Sequence, residues 1–316
     1  MTCRICGNEH HNHLHQAREM MFGTREPFNY LECGACGCLQ LVTVPDDLSR
    51  FYPKDYYSYA PSEPVAAGPL QRVKLRAMHH LLAHRMHGGD ALGWAIGLVQ
   101  DKFKWVPRGA LTFGSRILDV GCGTGALLLT LRDCGFTKLT GADPFIGSDI
   151  LYQGGVRILK KDVFAMEGTF DLVMLHHAFE HMADPLAVLR RLKELLAPGG
   201  HVLIRIPVAD SYAWKHYGTD WVQLDAPRHF FLHTRKSMQQ LADQSGLELT
   251  QAVSDSTEFQ FIGSERYRAG LALNDPAHPF TAAQLKGFRK QARLLNAQGR
   301  GDTGTFLLRE QVEGPG

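Results

Sequence analysis

Two rhythms of apolar and polar positions alternate through the second half of the chain. Ile117, Leu118 and Val120 make a short apolar run, and comparable runs recur in LTGA, VRIL, FDLVML and HVLIRIPV. Such runs, bounded by polar or glycine positions, predict strands buried on both faces. Between them, Ala126 to Leu131 and the stretch EHMADPLAVLRRLKELLA follow a helical pattern, the second leading through a PGG turn into the fifth strand. Strand and helix in alternation predict a parallel, doubly wound α/β sheet, with its ligands at the C-terminal strand ends. SGLELTQAV (245–253) reads as a sixth strand. TAAQLKGFRKQARLLN reads as a helix with Thr281 as N-cap, and GDTGTFLLRE as a last strand.

Upstream the pattern changes. Residues 51–69, FYPKDYYSYAPSEPVAAGP, predict an irregular connector whose Tyr52, Tyr56, Tyr57 and Tyr59 either line a pocket or pack the head of the chain onto its body. Leu70, Val73, Leu75, Met78, Leu81, Leu82 and Met86 then fall at helical spacing, with Arg72, Lys74, Arg76 and Arg85 on the other side. Gly88-Gly89 end that helix, and a second is expected from Ala91 to Trp105. The pair reads as a lid over an active site, with a membrane surface or partner subunit as the alternative.

The strand at Ile117 runs into glycines: ILDVGCGTGALL. Gly121, Gly123 and Gly125 remove every Cβ from a turn between strand and helix. There, backbone amides at a helix N-terminus can meet an anionic or polar ligand. The turn fits the dinucleotide fingerprint G-x-G-x-x-G/A loosely, with Ala126 in the last place. The next strand ends in Asp143-Pro144, eighteen residues after Gly125, from where a carboxylate reaches ribose hydroxyls. The third is followed by Asp162 and Val163, and the fourth closes on His176 and His177.

Composition narrows the picture. The 316 residues carry a formal charge of +2, which argues against a chain whose main task is gripping nucleic acid. No stretch approaches ~18 uninterrupted apolar residues, so no membrane span is expected. MTCRICGNEHHNH lacks an apolar core, so no secretory leader is expected either. Seven cysteines then belong in a reducing, cytoplasmic setting as thiols or metal ligands. Cys3, Cys6, Cys33 and Cys36 form two C-x-x-C pairs, each followed by glycine (Gly7, Gly37), and predict a closed four-thiolate zinc site of structural type. Cys38 is a spare thiol packed against the ribbon. HHNHLH (10–15) between the pairs reads as an exposed polar loop or hairpin tip.

DVGCGTG, the Asp143 strand end, Asp162, FDLVMLHHAFEHMADP and LLAPGG together resemble, in order, the motifs of class I S-adenosylmethionine (SAM)-dependent methyltransferases, over roughly residues 113 to 210. The resemblance implies a Rossmann-like, doubly wound seven-stranded α/β sheet whose last strand is antiparallel. It implies SAM as cofactor, with the amides of Gly121, Cys122, Gly123 and Gly125 approaching the methionine part and Asp119 beside its amino group. Asp143 with Pro144 would hold the ribose, Asp162 with Val163 would frame the adenine, and His176 would stand at the edge of the pocket. The head, CRICG with YLECGACGCLQL and the Tyr-rich connector, resembles the N-terminal zinc module of nucleotide-sugar C-methyltransferases. Those carry a large extra C-terminal domain, whereas here about 50 residues follow Gly263. The expected domains are a zinc-ribbon module over 1–45, a connector and helical lid over 46–112, and a methyltransferase domain over 113–316.

The position after the fourth strand reads LHHAFEH, without the Asn/Asp-Pro-Pro-aromatic tetrapeptide of transferases that methylate amide or exocyclic nitrogens. Four titratable groups stand there, His176, His177, Glu180 and His181, and a positioned histidine suits removal of a proton from a hydroxyl or carbon acid. A metal held by His177 and His181 is a lesser alternative. WVQLDAPRHFFLHT (221–234) resembles a segment of bacterial small-molecule methyltransferases, and places His229 as the substrate-facing base. Arg228 would bind an anionic acceptor or pair with Asp225. The expected catalytic set is therefore His229, His177, His181 and Glu180. The expected reaction is methyl transfer to oxygen or carbon of a small acceptor such as a sugar, nucleotide-sugar or natural-product intermediate. The rivals are an RNA methyltransferase that uses the ribbon for recognition, and a SAM-binding protein without turnover. Oligomeric state is left open.

Overall fold

Most of the strands form where the apolar rhythm places them. A computed structural model describes residues 1–52, 68–99, 103–277 and 280–311. Its head holds β1 (His13–Arg18), β2 (Pro27–Glu32) and β3 (Leu39–Leu41), followed by α1 (Pro69–His87) and α2 (Ala91–Val99). Then come β4 (Arg116–Val120), α3 (Ala126–Asp133), β5 (Lys138–Ala142), β6 (Ile150–Leu151), β7 (Arg157–Leu159), β8 (Phe170–His176) and α4 (Pro185–Glu194). The chain continues through β9 (Leu196–Pro207), α5 (Tyr212–Tyr217), β10 (Phe231–Leu232), α6 (Arg235–Ser245) and β11 (Leu247–Ser254). It closes with α7 (Phe259–Arg268), α8 (Ala282–Ala297) and β12 (Thr303–Glu310).

The large sheet has the strand order β11-β12-β9-β8-β4-β5-β7-β6. Its eight strands exceed the expected seven by one, because Ile150 and Leu151 pair antiparallel with β7 at the edge. Two compact units divide the chain. One consists of Met1–Pro53, His177–Ala187 and Ile204–Phe306, and the other of Lys54–His176, Val188–Leu203 and Leu307–Gly316.

In the second unit β4 pairs in parallel with β5 on one side and β8 on the other, Ile117 lying opposite both Leu139 and Leu172. Leu118, Ile158, Leu172, Val173, Met174 and Leu203 are fully buried. Each such side chain contributes roughly 1.5–3 kcal/mol by leaving water, which is why these strands lack polar alternation. Leu81, Leu82 and Met86, on the C-terminal half of α1, join this core with Phe103, Leu131 and Phe136. Leu70 and Val73, on its N-terminal half, stay exposed. α2 is described as far as Val99, and Phe103–Trp105, which the pattern assigned to the same helix, are not helical. The Val106 amide donates to the Phe103 carbonyl there, so Phe103–Trp105 form a turn. Tyr56, Tyr57 and Tyr59 lie outside the described residues.

In the first unit β1 and β2 form an antiparallel hairpin, β3 pairs with β2, and β10 pairs with β3, giving the order β1-β2-β3-β10. The ribbon's sheet is thus completed by Phe231 and Leu232, far along the chain. Thr281 caps α8 as its sequence suggested, accepting from Gln284 N–H in a capping box. Two local readings change. Glu180 and His181 sit on a short 3₁₀ turn, Phe179–His181, because the helix begins only at Pro185. The PGG stretch lies within β9, where Gly199 takes φ 73° and leaves the run extended on either side.

Candidate functional site

In the second unit the parallel pairing of β4, β5, β7 and β8 brings their C-terminal ends to one edge. Asp119, the 121–125 turn, Asp143-Pro144, Asp162-Val163 and His176 therefore share that edge. The chain's order reverses at β4, the position at which a doubly wound sheet opens a ligand crevice. Gly121, Gly123 and Gly125 take φ of 73°, 54° and 85°, left-handed values that side chains resist. A Cβ at residue 125 would also lie 2.5 Å from Ile158 Cδ1. α3 starts at once with no side-chain cap, so its first-turn amides are left for a ligand.

Asp143 braces the turn from the next strand, one oxygen accepting from Gly123 N–H and the other from Phe145 N–H, both at 2.9 Å. Each oxygen keeps a lone pair for a hydroxyl. Asp119 is buried, and among the described residues nothing donates to its carboxyl. Burial, and after it the Asp143 charge, push that carboxyl up to about 8, the environment of a group that lacks a cationic partner. Asp162 accepts from Ala165 N–H at 2.9 Å and so caps a short turn, with its second oxygen uncommitted. The Cys122 thiol is pushed up by burial and by Asp119 and Asp143, which makes it an inert small side chain. Its Sγ stands 2.5 Å from where a Cβ on residue 141 would be, which explains Gly141. The His176 ring meets Trp105 edge-on at 4.8 Å. Phe145 and Phe164, each two residues after a strand-end acid, are 76% and 54% exposed. Sequence reasoning passed over both, although an aromatic beside each acid was the available signal.

The first unit gathers the expected catalytic residues. Glu180 is fully buried, and neither carboxylate oxygen accepts a hydrogen bond among the described residues. His177 Nδ1 lies 3.4 Å and His229 Nε2 3.9 Å from Glu180 Oε1. His181 and His229 meet edge-on at 4.8 Å. Burial pushes the Glu180 carboxyl up, but contact with His177 and the charges of His181 and His229 outweigh it and hold it at about 2. His229 is pushed down to about 4, chiefly by burial and then by His181, so it is neutral at pH 7.

The tautomers follow from the acceptors. His229 Nδ1 lies 2.7 Å from the Gln223 carbonyl, and His181 Nδ1 2.8 Å from the Arg228 carbonyl. A carbonyl only accepts, so both Nδ1 atoms carry hydrogen, and in the neutral His229 ring Nε2 therefore keeps its lone pair. The Tyr52 hydroxyl stands 3.3 Å from His181 Nδ1. His177 is different: Arg205 Nη1 donates to its Nε2 at 2.8 Å. Two residues here hold left-handed backbone without being glycine, His177 at φ 53° and Asp225 at φ 39°. Such strain collects at functional positions.

Arg228 does not await an anionic acceptor. Its guanidinium is fully buried and donates to Asp225 at 2.9 and 2.5 Å and to Glu19 at 3.0 Å. The pairing with Asp225 was readable from the spacing LDAPR. Glu19, far upstream, had no local signal.

The four cysteines of the head converge, Cys3 Sγ to Cys36 Sγ being 3.7 Å and Cys6 Sγ to Cys33 Sγ 3.5 Å. A tetrahedron with Zn–S bonds of about 2.3 Å has edges of about 3.8 Å, so the set fits zinc. All four are free thiols. The Ala35 and Cys36 amides each donate to Cys33 Sγ at 3.4 Å, and Gln40 Nε2 donates to Cys3 Sγ at 2.9 Å. Thiolates need such donors. Cys38 is buried beside His233. Of the intervening histidines, His10, His11 and His13 are exposed, and His15 Nε2 pairs with Glu32 at 2.7 Å.

Comparison with known proteins adds a family match. The model of a family described as "Methyltransferase domain" matches residues 95–252, half of the chain. A ubiquinone biosynthesis O-methyltransferase of Pectobacterium carotovorum is 30% identical over 131 residues, covering 37% of this chain and 54% of that protein. One from Vibrio parahaemolyticus is 36% identical over 103 residues, covering 28% and 43%. The chain thus spans about half the length of the curated relatives it matches. A solved Thermotoga maritima structure, described as a SAM-dependent methyltransferase and possible histamine N-methyltransferase, aligns with a TM-score of 0.43 at 15% identity, covering 76% of this chain and 91% of that one.

Proposed function

The chain belongs to the methyltransferase-domain family, and on that premise we propose that it moves the methyl group of SAM to an oxygen or carbon of a small-molecule acceptor. The pairing of a glycine turn with a buried, unpartnered Asp119 carries the cofactor half of this reading. The sulfonium supplies an electrophilic methyl when bound. Asp119 takes the amino group and is ionised by it, Asp143 accepts from the ribose hydroxyls, and the turn amides meet the carboxylate. Phe145 and Phe164 offer apolar faces to the adenine.

The acceptor half rests on Glu180, His181 and His229. An O–H or C–H acceptor must lose a proton as the methyl moves in line, and His181 Nε2 is the atom that takes it. The Arg228 carbonyl fixes the His181 ring through Nδ1–H, and ionised Glu180 stabilises the imidazolium that forms. Much of the remaining acceleration comes from holding acceptor and methyl at contact distance. The curated relatives are named as O-methyltransferases, which favours oxygen over carbon. The four-cysteine site is a structural zinc centre that substitutes for a core the head is too short to build.

The test is S-adenosylhomocysteine release from SAM with phenols, catechols, sugar nucleotides and tRNA offered in parallel. Turnover on a small hydroxylated acceptor, lost in His181→Ala, supports the reading. Turnover on tRNA alone replaces it with RNA recognition by the ribbon.

A further inference from the structure

The cluster that handles the acceptor's proton has the composition of a metal centre. We propose that Glu180, His181 and His229 bind a divalent transition-metal ion, in a site separate from the four cysteines. Each residue offers one ligand atom, and the three atoms lie within 4.8 Å of one another. Ligand bonds of about 2.1 Å require separations of roughly 3.0–3.4 Å, so the side chains close by small rotations when the ion enters.

Three observations converge on this. Both imidazoles are locked in the tautomer a metal needs: each gives Nδ1–H to a backbone carbonyl, Gln223 for one and Arg228 for the other. Metal-bound histidines dispose of their second nitrogen in that way. Second, Glu180 is fully buried and neither of its oxygens accepts a hydrogen bond among the described residues. A carboxylate withdrawn from water without a hydrogen bond is costly, and a coordinated cation offsets that cost more fully than imidazoles 3.4 and 3.9 Å away. Third, Glu19 and Asp225 share the guanidinium of Arg228, while Asp225 Oδ2 and Glu180 Oε1 lie 3.8 and 3.9 Å from His229 Nε2, so carboxylates outnumber the guanidinium around this ring.

The ligand set excludes the pair that spacing alone suggested. His177 cannot coordinate through Nε2, because that lone pair already accepts from Arg205. Its Nδ1–H instead points charge toward Glu180 from outside. Two imidazoles and one carboxylate suit Mn²⁺, Fe²⁺, Co²⁺ or Zn²⁺ and leave coordination positions open. The consequence for substrate rests on the methyl-transfer reading: with the ion bound His181 is a ligand and no longer the base, and an acceptor hydroxyl next to a second oxygen, as in a catechol or an enediol, is held by both oxygens and loses its proton to solvent.

Mn²⁺ is the probe, because its preference for oxygen and nitrogen keeps it off the thiolates. Full-length protein, stripped with chelator, is titrated while the free-ion electron paramagnetic resonance signal is followed. One Mn²⁺ per chain is expected, weakened more than about tenfold in Glu180→Gln and in His229→Ala and unchanged in Cys3→Ser. His181→Gln, at a half-buried position, carries the test where Glu180→Gln does not fold. Failure of the wild-type protein to bind Mn²⁺, or equal binding by folded Glu180→Gln, overturns the site. Mn²⁺ binding without methyl transfer to any acceptor leaves the site standing and removes the methyltransfer reading.

Discussion

Gly125→Ala isolates the physical reason for the glycine turn. The substitution acts twice. It places a Cβ on a residue at φ 85°, which costs about 1–2 kcal/mol. It also drives that Cβ to 2.5 Å from Ile158 Cδ1 and 3.1 Å from Cγ1, in a fully buried side chain, an overpacking worth about 1–3 kcal/mol. The sum is about 2–5 kcal/mol. Ile158→Val removes the Cδ1 methyl and alone costs about 0.5–1.5 kcal/mol. In the Gly125→Ala background the same change should be neutral or stabilising, because it relieves the clash and leaves only the backbone strain. Urea unfolding of the four proteins in the cycle, without SAM, measures the coupling directly. A coupling of at least about 1 kcal/mol is expected. Additive costs, or a Gly125→Ala variant within about 0.5 kcal/mol of the parent, would refute the steric argument.

Three further outcomes follow from the same geometry. Asp119 has a folded-state value of about 8, raised above its unfolded one, so its contribution to stability is present at low pH and lost as pH rises through 8. SAM binding therefore releases a proton near pH 7, visible as calorimetric heats that depend on the buffer's ionisation enthalpy. Asp119→Asn abolishes that dependence, weakens SAM by about tenfold or more, and flattens the fall in apoprotein stability between about pH 4 and 8. Zinc removal by chelator should lower the melting temperature by several degrees and make the four cysteines titratable with a thiol reagent, while buried Cys38 stays slow; unchanged melting would contradict a structural centre. Arg228→Ala strands Asp225 and Glu19 without their cation and should cost about 3–5 kcal/mol in unfolding experiments; a smaller loss would mean that the pair is solvated.

What was legible in the sequence followed from local rules. The glycine turn could be read because only glycine accepts three left-handed positions in five residues. The four-cysteine cluster could be read because two C-x-x-C pairs are a local geometry. The strand-end acids could be read because strands alternate with helices. Pairings across the chain could not be read. Arg228 meets Glu19 at a separation of 209 residues, and the ring of His181 is fixed by a carbonyl 47 residues on. The engagement of His177 Nε2 depends on Arg205, a strand residue that looked like any other polar interruption of β9. Local misreadings had local causes as well. The pattern of α2 continued to Trp105 in composition, but the chain turns at Phe103. The run into α4 looked helical from Glu180, but Asp184-Pro185 reset its start.

Calorimetric titration of the full-length protein with SAM tests the central claim most directly. The account predicts one site per chain with micromolar affinity, competition by S-adenosylhomocysteine, and proton release that disappears in Asp119→Asn. A folded protein that takes up no SAM heat at any concentration would contradict it.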